Sequence, residues 1–287
     1  MNLIANFALL ASRRDILGLP VCDFGWKGAL SFLDQLASLP FSQTTVSFLN
    51  AHNANVMLRD AGYRAALEGH LVLPDGVGMD IASSVLHGSP FPANLNGTDF
   101  IPALLTYMDR PKRIGLLGAA PGVIETAAKN LAAHAPWHEF VVISDGFFDK
   151  SRSEAVIGRI ENARLDILIV GMGTPIQEKW VSEHIRPRHA RLVLTVGALF
   201  DFVAEAVPRA PAIMRRLRLE WFYRLAIEPK RLWRRYVIGI PRFFFNLARY
   251  RLGTPFQPIA PPASDDVRPL PPMADMEEAP PQIARNG

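Results

Sequence analysis

Cysteine is almost missing from this 287-residue chain: Cys22 stands alone, which excludes an intrachain disulfide and suits a reducing compartment. Long apolar runs are missing as well. The opening MNLIANFALLASRRD lacks a basic start and carries Arg13 and Arg14 after its apolar part. That is the wrong charge order for a secretory signal, and about ten apolar residues are too few to span a bilayer. Further on, residues 237–247 are interrupted by Pro241 and Arg242, short of the roughly 20 apolar residues a spanning helix needs. The expectation is a protein that stays in the cytoplasm or lies on a membrane without crossing it. Acids, finally, are scarce between positions 208 and 252, where twelve Lys and Arg meet only Glu220 and Glu228. That segment is net +10 in a chain of net +4, which leaves −6 for everything else, so it is built to meet anions.

What is present is an alternation. Apolar, β-branched runs at 44–49, 71–73, 113–118, 140–143, 165–170 and 192–196 read as buried strands, and helical periodicity lies between them. Residues 26–37 and one helix from about 50 to 67 fit that pattern, and 17–21 reads as a further strand. Strands alternating with helices argue an α/β fold, a Rossmann-like parallel sheet covered by helices. The division expected is an α/β core at 1–207, a basic amphipathic helical segment at 208–253 and a tail at 254–287. The tail holds nine prolines and has no means of forming a core.

In open α/β sheets ligands bind beyond the carboxyl ends of the strands, where loops and helix N-termini leave a crevice lined by backbone N–H groups. Asp75 falls in such a loop, in LVLPDGVGMD. Asp before Gly is also a common turn, and Asp before a helix a common cap, so structural and chemical roles both stand at this point. Asn50, His52 and Asn53 fall on the preceding strand-end loop, where Asn is also a good cap. Thr98 or Asp99 is expected to cap a helix running to about 108. Gly118 and Gly122 would let backbone approach a phosphate or ribose, although their spacing is not the dinucleotide fingerprint. Asp145 opens the loop after the strand at 140–143. Gly171 and Gly173 lie in GMGTPIQE, which enters a helix with Pro175 near its first turn.

From 208 onward, apolar residues recur at helical spacing (Leu217, Trp221, Leu225; then Leu232, Tyr236, Ile240) with arginines between them. Pro229 and Pro241 should divide the segment into short helices. A basic amphipathic helix rich in aromatics suits a membrane interface, where arginine meets lipid phosphate. An ordinary surface helix and a nucleic-acid face are the alternatives, and charge alone does not separate them.

Taken in order, NAHNANV, VLPDGVGMD, NGTD, IGLLG, DGFF, VGMGTPIQEKW, VGALFDF, RAP and the LEWFYRL to EPKRLWRRY stretch resemble the WecG/TagA/CpsF family of bacterial glycosyltransferases, family 26, across roughly residues 46–236. The branch associated with exopolysaccharide assembly is the most similar. The resemblance implies an inverting, metal-independent transfer, without a cofactor, from a UDP-sugar donor to a polyprenyl-diphosphate-linked saccharide acceptor. The place implied is the cytoplasmic face of the bacterial membrane, with an anionic membrane surface as partner and no nucleic acid. It places the general base on Asp75, in keeping with a displacement in which a carboxylate takes the acceptor hydroxyl's proton. Substrate contacts fall on Asn50, Asn94 and Gln177, and donor-binding loops on Gly118, Asp145, Gly171 and Gly173. Arg224, Arg231 and Arg234 are the arginines that would close the site and offset the diphosphate's charge. Phe48 stands where the family has threonine and Asn94 where it often has arginine; both departures bear on which sugar is handled.

Two other classes remain open on the residues. A nicotinamide-dependent oxidoreductase would use the same kind of sheet, but Ile176 occupies the position of a third glycine. A nucleic-acid binder would use the basic segment, with Trp221, Trp233 and the phenylalanines at 243–245 stacking bases, although their helical spacing suits lipid or core better.

Overall fold

The computed structural model describes residues 12–40, 42–207, 210–211, 214 and 220–253, the last segment without the side chains of Glu220, Arg224 and Arg231. The tail from 254, the first eleven residues and most of 208–219 lie outside the described residues. An antiparallel hairpin comes first, β1 (Arg13–Ile16) and β2 (Leu19–Cys22), where the sequence suggested one strand. Leu17 and Gly18 turn it, both at positive φ.

Six parallel strands then form one sheet: β3 (Thr44–Leu49), β4 (Leu71–Pro74), β5 (Arg113–Gly118), β6 (Glu139–Ser144), β7 (Ile167–Gly171) and β8 (Leu192–Thr195), in the order β4-β3-β8-β7-β5-β6. Period-2 alternation divides their side chains between two faces. Val46, Leu71, Leu73, Ile114, Leu116, Ile167, Ile169, Leu192 and Leu194 face one core, shared with helices α1 (Trp26–Ser38), α5 (Gly97–Tyr107), α6 (Val123–His134) and α9 (Leu199–Val203). On the opposite face, Leu168, Val170 and Val193 pack on α7 (Glu154–Ala163) and α8 (Ile176–His184). Beside them Leu49 and Val72 pack on the hairpin, α2 (Ala51–Met57), α3 (Ala61–Glu68) and α4 (Val77–His87).

Two local expectations change. The helix expected from 50 to 67 is two, because Asp60 accepts from the Tyr63 N–H and starts α3 afresh. Asn96, rather than Thr98 or Asp99, caps α5, its side chain accepting from the Asp99 N–H.

Pro229 and Pro241, expected to divide the basic segment, fall at helix starts, as their missing N–H requires. Helix α10 (Glu220–Ile227) gives way at Pro229 to α11 (Pro229–Trp233), and Pro241 lies in the first turn of α12 (Gly239–Arg251). A π-helical turn, Arg234–Ile238, joins α11 to α12. Helix α12 is part of the core: Phe243 and Leu247 are buried with Leu49, Ala54 and Met79. Among the described residues no helix is long and apolar enough to cross a membrane.

Candidate functional site

All six strands of the sheet end on one rim, and a cavity of about 890 Å³ runs along it. At the β3–β4 end the register sets Leu49 beside Pro74, so the next residues, Asn50 and Asp75, are neighbours. Asn50 splits its amide: Oδ1 accepts from the Asn53 N–H and caps α2, while Nδ2 donates to Asp75 Oδ2 at 3.0 Å. The cap of α4 is Gly76, at φ +87°, and it receives no side-chain cap bond. The carboxylate of Asp75 lines the cavity, with an oriented donor on one oxygen, while the cap position of α4 falls on Gly76.

His52 lies one residue into α2 and lines the same wall, with Arg235 of the π-helical turn nearby. Burial, and after it the charges of Arg235 and Arg59, push its imidazole down to about 4, so it is neutral at pH 7. Phe48 is buried yet reaches the wall, against Gly97. Asn94 is not on the wall; its Oδ1 accepts from the Gly76 N–H at 2.7 Å and braces the Asp75 loop from behind.

Toward the other end the wall is largely backbone. Gly118, at φ +132°, pairs with Gly171, and a Cβ on Gly118 would meet the Gly171 carbonyl oxygen at 2.3 Å. A Cβ on Gly171 would in turn meet the Phe200 ring at 2.8 Å and the Gly197 oxygen at 2.9 Å. Gly171 and Gly173 line the cavity, whereas Gly118 serves this close approach one layer below.

Gln177 is 1% exposed and ties the loops together: its Oε1 accepts from the N–H of Gly173 and of Gly197, each at 3.2 Å. Its Nε2 donates to Glu178 Oε1 at 2.8 Å, and the Thr174 hydroxyl donates to the same oxygen. Glu178 Oε2 is buried without a hydrogen-bond partner among the described residues, and burial pushes its carboxyl above the ordinary range, which favours the neutral acid.

Asp145 is off the wall and accepts from the Phe147 N–H at 2.7 Å, which fixes the loop whose Phe147 ring is 77% exposed at the cavity edge. Lys150 donates from Nζ to the carbonyls of Gly146 and Phe148 and brings a cation to that end. Burial holds its ammonium below the ordinary lysine range, against the opposing pull of Asp145 and Asp149. Asp201, at the start of α9, also lines the cavity.

The structure thus brings together Asp75, Asn50, Gln177, Gly171 and Gly173, and keeps Asn94, Gly118 and Asp145 a layer behind. Arg234 is exposed, its guanidinium 5.5 Å above the Trp233 ring, outside the cavity. The side chains of Arg224 and Arg231 lie outside the described residues. Sequence reading missed Arg235 and Lys150 as cavity cations, and Glu178 as the buried acid beside Gln177. Among the described residues no group of three or more His, Cys, Asp or Glu is placed to hold a metal ion.

A parallel open sheet with a cation-flanked cavity along its carboxyl rim defines an α/β protein of the ligand-handling class. Within that class the assignment is specific. The chain belongs to the glycosyl transferase WecG/TagA/CpsF family, whose profile matches residues 14–257. A relative from Bacillus subtilis strain 168, named N-acetylglucosaminyldiphosphoundecaprenol N-acetyl-beta-D-mannosaminyltransferase, is 32% identical over 226 residues, covering 76% of this chain and 86% of that protein. A Staphylococcus aureus (strain NCTC 8325) protein of the same name is 30% identical over 244 residues, covering 83% and 93%.

Proposed function

We propose that this glycosyltransferase moves a hexose-type sugar from a UDP-linked donor to a saccharide on a polyprenyl diphosphate, in the assembly of an exopolysaccharide or other cell-surface polysaccharide. The observation that carries this reading is the Asp75 carboxylate, held by Asn50 on the wall of the rim cavity. In the reaction the acceptor hydroxyl attacks the anomeric carbon from the face opposite the nucleotide. Asp75 takes the hydroxyl proton as the new C–O bond forms, and the bond to the UDP β-phosphate breaks with inversion.

Charge placement supports the same orientation. A departing diphosphate develops negative charge that fixed cations can offset; Arg235 and Lys150 stand on the wall for that task. The backbone-lined end, with Gly171, Gly173 and Gly197, lets a nucleotide approach the main chain without meeting a side chain at those positions, and the exposed Phe147 ring at its edge offers a stacking face. The names of the relatives point to the polyprenyl-diphosphate acceptor. Arg224, Arg231 and Arg234 remain proposed anion contacts of the C-terminal helices.

Those helices also carry exposed apolar side chains, Phe222, Trp233, Val237, Ile238 and Phe245, among arginines. This combination suits an anionic membrane surface on the cytoplasmic side, where the lipid-linked acceptor would be met. In the proposed division, helix α12 anchors this surface to the core. Sedimentation with anionic vesicles across a salt series tests the membrane role; RNA bound more tightly than vesicles would replace it.

The chemical test is a screen of UDP-sugars with a synthetic polyprenyl-diphosphate acceptor, scored by product mass. Asp75→Asn is expected to lower turnover by about 10²–10⁴-fold while melting like the parent protein. Turnover retained in that variant would remove Asp75 from the base role.

A further inference from the structure

Asn55 lies on α2, three residues past His52, at a position where a helix gains nothing from asparagine. It is 4% exposed, and a buried amide needs partners. Both partners come from the far end of the chain. Its Nδ2 donates to the carbonyl of Gly239 at 2.7 Å, and its Oδ1 accepts from Asn246 Nδ2 at 3.2 Å. Gly239 is where the π-helical turn Arg234–Ile238 ends and α12 begins, and the Gly239 N–H closes the wide turn onto the Arg234 carbonyl.

A π-turn is rare and is found where something outside the helix sustains it, often at a functional site. It matters here because one residue more or less in a helix rotates everything beyond it by about 100°. With the wide turn in place, Arg235 reaches the cavity and Arg234 stays outside it. The two helices also match in register. His52 and Asn55 share a face of α2 at a spacing of three, and Arg235 and Gly239 share a face of the C-terminal segment at a spacing of four. One rung of that match brings Arg235 near His52; the other is the Asn55–Gly239 bond.

We propose that Asn55 is a positioning residue: its amide clamps the π-turn at Gly239 and thereby sets the approach of Arg235 to the cavity. Its consequence for catalysis rests on the function proposed above, in which Arg235 offsets diphosphate charge; its structural part does not. His52 supplies a readout that needs no substrate, because the Arg235 guanidinium beside it opposes its protonation. The second cation near His52, Arg59, lies just beyond α2 and is not held by Asn55.

The experiment follows the His52 ring by NMR from pH 8 to pH 4.5 in the full-length protein. Wild type stays neutral through most of that range. Arg235→Ala is expected to raise the His52 pKa by about half a unit or more toward 6.5, and Asn55→Ala to raise it by a similar amount, with no further rise in the double variant. Asn246→Ala, which leaves the Asn55–Gly239 bond in place, should give a smaller shift of the same sign and keeps the test open if Asn55→Ala folds poorly. A His52 pKa that moves in Arg235→Ala but in neither asparagine variant overturns the proposal, as does one that moves in none of the three.

With a donor in hand, Asn55→Ala should raise the donor KM about tenfold, and should cost nothing more once Arg235 is already alanine. Additive losses would make Asn55 merely structural. Failure of every donor in the screen would count against the proposed function alone, since the NMR readout decides the clamp.

Discussion

At the β3–β4 end of the rim the cavity wall is made of side chains; at the β5–β7–β8 end it is made of backbone drawn together by glycine. Asn50 and Asp75 project from strand-end loops and His52 from the first turn of α2, none of them at positive φ, so the fold should bear replacement of His52 or Asp75 lightly and lose only a helix cap with Asn50. Gly118 and Gly171 act through the lack of a side chain, so almost any replacement is felt by the sheet. The proposed reaction chemistry and the proposed nucleotide access thus depend on opposite properties of the same rim, and substitutions at the two ends should differ in kind as well as in size.

The largest break in that contrast is Gly118→Ala. Its Cβ would stand 2.3 Å from the Gly171 carbonyl oxygen at a backbone φ of +132°, and both the overlap and the strained backbone add cost. A loss of about 3–5 kcal/mol is expected, read as a lower urea midpoint, against less than about 1 kcal/mol for Asp75→Asn. If Gly118→Ala melted like the parent protein, the backbone end would not depend on that contact.

This difference also governs what could be read in the sequence. The alternation of apolar strands and helices was legible because every strand of the main sheet except the edge strand β6 is buried on both faces, and Asp75 stood out because it follows such a strand directly. The hairpin β1–β2 was not, since four-residue strands closed by Leu17 and Gly18 carry too little pattern. Gln177 showed as a polar residue at a strand-end loop, but its place between the Gly173 and Gly197 N–H groups depends on β7 and β8 being neighbours. Arg234 and Arg235 could not be told apart, because a 3.6-residue period gives the wrong phase across a π-turn. Asn94 and Asp145 act on neighbouring backbone, a role that residue type does not reveal.

A sharper version of the comparison concerns what holds the backbone end together. Glu178 Oε1 receives both the Gln177 amide and the Thr174 hydroxyl, so Glu178→Ala leaves two buried donors without an acceptor. A loss of about 2 kcal/mol is expected, together with a raised donor KM and a nearly unchanged kcat, because the loops that loosen are those proposed to receive the nucleotide. Glu178→Gln keeps a neutral acceptor of the same length and should stay within about 1 kcal/mol of the parent protein. Equal losses in the two variants would mean that the ionised carboxylate, rather than the hydrogen-bond geometry, secures the loops.

A pH-dependent effect joins the two ends beneath the cavity. His70 Nδ1 shares a hydrogen bond with Ser47 Oγ, which meets the cavity-lining Thr195 hydroxyl at 2.7 Å, and His70 Nε2 meets Ser182 Oγ. Burial pushes the His70 imidazole down to about 4, against about 6.5 when unfolded. Between those values the unfolded chain binds the extra proton, so acid favours unfolding. The stability held by a neutral His70 is complete above pH 6.5 and is lost as pH falls toward 4, by about 1.4 kcal/mol per unit within that window. His52, His138 and His189 share the direction and add to the slope, so the contribution of His70 must be separated by substitution. Urea melts at pH 7, 6 and 5 should therefore fall less steeply in His70→Gln than in the parent protein. Parallel slopes in the two proteins would mean that His70 takes up its proton in the folded state as readily as in the unfolded one, and that the layer beneath the cavity admits water.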